Sequence, residues 1–158
     1  IALGLVLVYI TFRFQWRQGI AAIITLLHDV MVVVGIFSIF DKEFTLPVIA
    51  ALLTVVGYSL NDTIVIFDRI RENISKFRKR ELLPLINQSV TETLSRTLLT
   101  SGTTLMVVLA LIFLGGEIIH DFAFALLVGV LIGTYSSIYV ASPMVLWLTK
   151  IAPPKTSD

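Results

Sequence analysis

Apolar residues run along this chain in long stretches broken by short polar ones, and that pattern sets the elements. The stretches cover residues 1–12, 19–40, 46–67, 97–114 and 122–148. A hydrocarbon core about 30 Å thick takes roughly 20 helical residues. The last four stretches therefore predict transmembrane helices. The first, 12 residues long, covers about 18 Å of helix and is expected to be the end of a longer span. It lacks the basic leader and small-residue cleavage site of a signal peptide. The pattern predicts an all-α membrane protein with five spans, the first cut short. A transmembrane bundle is expected over residues 1–150, followed by a polar tail at 151–158.

Between the third and fourth stretches the period changes. Ile70, Ile74 and Phe77 recur at helical spacing with charged residues between them, which predicts an amphipathic helix. Pro84 suits the first turn of a second helix, carried on through Ile86, Val90 and Leu94. An amphipathic loop over about 70–95 is thus expected at one membrane face.

Composition strengthens the membrane reading. The chain is 56% apolar and 15% charged, where a soluble domain carries about 25% charged residues. It has no cysteine, which excludes disulfides, thiolate metal sites and cysteine nucleophiles. The net charge of +1 becomes informative only when the charges are placed. Eleven of the 12 Lys/Arg residues flank the ends of the stretches that share a side with residues 69–96, and Lys42 alone lies opposite. That opposite side carries Asp41, Glu43, Glu117 and Asp121. The positive-inside rule then predicts a cytoplasmic 69–96 segment and C-terminus, with residue 1 outside. From Arg69 to Arg80 there are six basic residues and one acid. Such a run suits anionic lipid headgroups, or a cytoplasmic partner; it lacks the interleaved aromatic platforms of a nucleic-acid site.

Ionisable groups inside apolar stretches are costly and are functional candidates by default. His28 and Asp29 form one such place. Asp29 lies ten residues from Gly19, about 15 Å along a helix and so near mid-bilayer. Thr25, one turn earlier, is placed to hydrogen-bond it. Structural and functional roles are both open for this pair. Asn61 and Asp62 form the second place, with Asp62 seven residues before Arg69, about 10 Å inside the cytoplasmic end. Tyr58, Ser59, Asp62 and Ile66 share a face, and Asn61 begins the next. The third is Arg96, heading a stripe of Thr93, Arg96, Thr100, Thr103 and Val107. By itself Arg96 reads as a snorkelling interface residue; beside a deep acid it becomes a counter-charge. Gly129, Gly133, Ser137 and Ala141, spaced by four, predict a seam for close helix packing.

The run from Gly57 through Asn73, GYSLNDTIVIFDRIREN, resembles the fourth-helix signature of the SecF family. Leu27-His28-Asp29-Val30, the segment Arg96 to Thr104 and the segment Gly133 to Ala141 agree with it. SecF proteins belong to the SecDF protein-export accessory complex, within the RND transporter superfamily. The resemblance implies an RND-type helix bundle in a bacterial inner membrane, holding helices two to six of a six-helix subunit. It implies SecD and the SecYEG translocon as partners, and a translocating unfolded polypeptide handled by periplasmic regions outside this chain. It also implies coupling to protons, or to sodium in some relatives, with no other cofactor, no metal and no catalytic residue. The family's transmembrane carboxylate falls on Asp62 and its arginine on Arg96. An ion pair between them, broken by protonation, would then gate the bundle. Asp29, His28, Asn61 and Thr100 are weaker relay candidates. Two other functions compete: an RND-type half-transporter for a small molecule or lipid, and an intramembrane aspartyl protease using Asp29 and Asp62. The second lacks the Gly-x-Gly-Asp setting around Asp62.

Overall fold

A computed structural model describes Val8, residues 16–77 and residues 81–151. The predicted first span, apart from Val8, and the tail beyond 151 lie outside the described residues. What is described is helical, with short connections. Among the described residues, four helices are long and apolar enough to cross a membrane.

Helix α1 covers Trp16–Ile39. It ends in a tight turn in which Asp41 takes φ 50°, a left-handed conformation that a short polar side chain tolerates. Helix α2 covers Leu46–Lys76, with proline in its first turn, where the missing N–H would have no helical partner anyway. Helix α3 covers Leu82–Leu114. At 31 and 33 residues, these two helices are about 46 and 50 Å long. Both outrun a hydrocarbon core of about 30 Å, so each must project from it. The expected amphipathic segment over 70–95 is therefore mostly the projecting ends of two membrane helices, joined around residues 77–81.

Gly115 and Gly116 reverse the chain at the other end of α3. A Cβ on Gly115 would overlap the Leu111 carbonyl, and Gly116 takes φ +71°, so glycine is required at both places. Helix α4, Gly116–Ser136, passes through a π-helical turn, Ser137–Ala141, into α5, Ser142–Ile151. Together they form one span.

The bundle has two apolar clusters with a polar layer between them. One gathers Val33 and Phe37 of α1, Val48 and Ala51 of α2, and Ala125 and Val128 of α4. The other gathers Ala21 and Leu26 of α1, Leu60, Ile66 and Phe67 of α2, and Ala141 and Val145 beyond the π turn. Asp29 of α1 and Gly133, Ser136 and Ser137 at the end of α4 are buried and fall between the clusters along their helices. Buried Ser59 and Asp62 of α2 instead lie among members of the second cluster, between Val56 and Ile66. In lipid, tight packing and interhelical hydrogen bonds hold helices together. The α2–α4 pair is held by packing. A Cβ on Gly129 would collide with Val55, and one on Gly133 would come 3.2 Å from the Ser59 Cβ.

Candidate functional site

Contacts between Gly129 and Val55 and between Gly133 and Ser59 advance four residues on each helix, so α2 and α4 run parallel in constant register. One turn further, that register brings Ser137 and the π turn level with Thr63 and Asp62. Ser137 and Ala141, the rest of the small-residue row, are buried as well. Hydroxyls sit on the backbone of the widened turn. Ser136 donates to the Gly133 carbonyl, Ser137 to Thr134, and Ser142 to Ser137.

Asp62 is 4% exposed, and its Oδ2 is buried without a hydrogen-bond partner. A buried acceptor left open is expensive, and most such groups in native proteins are paired. Here the open oxygen belongs to a carboxyl, which can take a proton, a water or a cation. One turn outward, the Tyr58 hydroxyl donates to Ser101 Oγ at 3.1 Å. Ser101 lies 2.7 Å from Thr134 Oγ1, and Thr134 donates to the Val130 carbonyl. With Tyr58 and Thr134 both spending their protons this way, Ser101 is the donor to Thr134. The result is a directed hydroxyl chain across α2, α3 and α4.

Arg96 is exposed on α3, close enough to act electrostatically on Asp62, yet no ion pair joins the two. The expected direct pair is therefore absent from this conformation. The guanidinium lines an open groove of about 360 Å³ with Val65, Asp68, Arg69, Glu72, Glu92 and Thr93. The expected stripe below Thr93 also turns outward: Arg96, Thr103 and Val107 are exposed and Thr100 is half-buried. Thr100 spends its hydroxyl on the Arg96 and Thr97 carbonyls. The row that α3 buries is Ser89, Thr93, Thr97, Ser101 and Val108. Asn61 is exposed.

Asp29 is 1% exposed. Its Oδ2 accepts from Ser59 Oγ at 2.5 Å, and its Oδ1 lies 3.1 Å from His28 Nδ1. Thr25 donates to the Ala21 carbonyl rather than to Asp29, because the backbone oxygen one turn back is nearer than the next turn's carboxyl. The two carboxyls share no hydrogen bond, unlike a proton-sharing aspartyl dyad.

Beyond the apolar part of α2 and α3, a polar cluster ties their projecting ends. Buried Asn73 donates to Ser89 Oγ at 2.9 Å and to Glu92 Oε2 at 3.1 Å. Glu92 also accepts from Gln88 and Arg69. Hydrogen bonds from Gln88, Asn73 and Arg69 together hold the Glu92 carboxyl down to about 2.

Sequence reasoning missed three of these partners: Ser59 for Asp29, Ser101 for Tyr58, and Ser89 for Asn73. Ser59 alone left a trace, sharing a face with Asp62. The π turn left none.

Fold and site together define a multi-pass helical membrane protein with ionisable groups enclosed in its bundle. The family model "Protein export membrane protein SecD/SecF, C-terminal" matches residues 1–151, and the chain belongs to that family. It is 56% identical to the protein translocase subunit SecF of Vibrio alginolyticus over 148 residues, 94% of this chain and 47% of that protein. It is 54% identical to the protein translocase subunit SecDF of Thermus thermophilus over 145 residues, 92% of this chain and 20% of that protein. A crystal structure of SecDF in a super-membrane-facing form superposes with a TM-score of 0.89 at 52% identity, covering 94% of this chain and 20% of that one. The chain thus spans about half the length of the SecF relatives it matches.

Proposed function

We propose that this chain is the membrane part of a SecF-type subunit that assists protein export by coupling it to an ion gradient. Asp62 takes up and releases the ion, a proton or sodium, and Arg96 is its counter-charge. One observation carries this: Asp62 is buried mid-bundle with an unpartnered carboxylate oxygen. Protein side chains satisfy Asp29 and Glu92, whereas Asp62 keeps a place open. When Asp62 is ionised, swinging Arg96 in from its groove forms the pair; a proton releases it. One charge moved through 100 mV supplies about 2.3 kcal/mol, enough to reverse a modest two-state preference.

The remaining assignments rest on the same reading. The chain lies in a bacterial inner membrane with the 69–96 segment and C-terminus inside. Its basic residues there face anionic lipid. A SecD-type partner covers the outer face of α3, where Arg96, Thr100 and Thr103 would otherwise meet lipid. The complex serves a SecYEG-type channel, and the moving polypeptide meets regions beyond this chain. Asp62→Asn in the full-length subunit should leave membrane levels and assembly unchanged and abolish the proton-dependent part of export. Export in inverted vesicles, with and without an uncoupler, measures it. Wild-type uncoupler sensitivity in Asp62→Asn would remove Asp62 from the ion path.

A further inference from the structure

Asp29 is as deeply buried as Asp62 but has a different neighbourhood. Its carboxyl bridges two helices, accepting from Ser59 of α2 at 2.5 Å, with His28 of its own helix beside the other oxygen. Among the described residues no lysine or arginine is bonded to it. An interhelical hydrogen bond in a bilayer returns less free energy than burying a carboxyl there costs. The pair therefore does not account for itself by stability, and geometry is what it supplies.

That geometry bears directly on Asp62. Ser59 lies three residues before Asp62, on nearly the same face of α2. Behind Ser59, Gly133 of α4 sits so close that its missing Cβ would be 3.2 Å from the Ser59 Cβ. Ser59 is thus clamped between a carboxyl and a glycine backbone, and α2 cannot rotate without breaking one contact or closing the other. The hydrogen bond from Ser59 to Asp29 sets the rotation; the glycine sets the distance. Because both residues are on one helix, the rotation of α2 also sets the direction in which Asp62 points.

We infer that Asp29 is a positioning residue: it holds Ser59, and through Ser59 the rotation of α2 that aims Asp62. The inference rests on the proposed role of Asp62 only for its effect on export. Its structural half stands independently. Asp29 acts here as a hydrogen-bond acceptor and carries no ion. An amide in its place keeps an acceptor oxygen for Ser59, whereas alanine does not.

The test uses the full-length subunit in its complex, in native membranes, with two readouts. Dicyclohexylcarbodiimide labelling of Asp62, followed by mass spectrometry, reports how that carboxyl is presented whatever the complex does. Uncoupler-sensitive export reports the activity. Asp29→Ala and Ser59→Ala should each change the labelling rate of Asp62 and lower export by on the order of three- to tenfold. Asp29→Asn should stay within about twofold of wild type in both, since its oxygen still accepts. If Ser59→Ala does not accumulate, Ser59→Cys keeps the shape with a weaker donor and should fall between alanine and wild type. Wild-type labelling and export in Asp29→Ala and Ser59→Ala would overturn the inference. So would loss of export in Asp29→Asn equal to that in Asp62→Asn, which would make Asp29 an ion carrier. Altered labelling in Ser59→Ala alongside normal export in Asp62→Asn would sink the proposed function and leave the positioning role intact.

Discussion

Helices α2 and α3 are neighbours of similar length, and the bundle treats them oppositely. Of α3's most apolar stretch 17% is buried, against 44% for α2 and 50% for the α4–α5 span. Helix α2 is held on two sides, by Ser59 against Asp29 of α1 and by Val55 and Ser59 against the glycines of α4. Within the membrane α3 offers one narrow row, whose bonded member is Ser101, between Tyr58 and Thr134. The carboxyl with the open oxygen is on the clamped helix, and Arg96, its proposed counter-charge, is on the loosely covered one. Under the proposed function, a rearrangement bringing Arg96 to Asp62 would be cheapest as a movement of α3 against a fixed α1–α2–α4 unit.

The comparison breaks if the α2–α4 seam can be opened without consequence. Gly129→Val should have the largest effect, since any Cβ there overlaps the branched, stiff Val55 side chain. Overpacking of that kind costs about 1–3 kcal/mol, read as a lower unfolding temperature of the purified protein in detergent. Gly129→Ala combined with Val55→Ala should recover most of the loss. A Gly129→Val protein as stable as wild type would mean that α2 is not fixed as described.

Outside the bilayer the contrast reverses, because there α3 is tied to α2 by charge and hydrogen bonds. Gln88, Asn73 and Arg69 hold Glu92 down from the ordinary 4.5 to about 2, so the folded state binds fewer protons than the unfolded one across that interval. The contribution of Glu92 is complete above pH 4.5 and is lost as pH falls through 2. Thermal unfolding of wild type and Glu92→Gln should therefore differ most near neutrality and converge toward pH 2–3. A gap that does not narrow on acidification would show that the carboxylate charge plays no part in the tie.

The helices were legible because lipid demands long apolar runs, and the projecting ends because their period changes at Ile70. Asp62, Asp29 and Arg96 were legible as residues, since charge inside an apolar run stands out. Their partners were not. Ser59, Ser101 and Ser89 are ordinary in a membrane helix, and which hydroxyl meets which acid depends on the rotation and register of neighbours. The expected Asp62–Arg96 pair is not formed in this conformation. Spacing along α3 placed Thr93, Arg96 and Thr100 on one stripe but could not say which edge of it α2 covers. A π turn inserts one residue per turn without a composition of its own, so Ser137–Ala141 read as plain helix.

The smallest effects are expected on the outward face of α3, and their gradient sharpens the comparison most. Leu99 is 67% exposed, Met106 72% and Phe113 80%. Within this chain, truncating any of them to alanine should change stability by no more than about 0.5 kcal/mol, because the side chain leaves few protein contacts behind. In the full complex they should separate. Leu99 shares its level with Arg96, whose exposed charge hydrocarbon would penalise, and with Thr100 and Thr103, whose hydroxyls bond the helix backbone. Under the proposed function a SecD-type partner covers that level. Phe113 stands near the far end of the helix, beyond the last of those hydroxyls, where lipid suffices. Leu99→Ala should then weaken co-purification of the partner subunit measurably, Met106→Ala less, and Phe113→Ala not at all. Equal indifference at all three positions would mean that lipid covers the whole face.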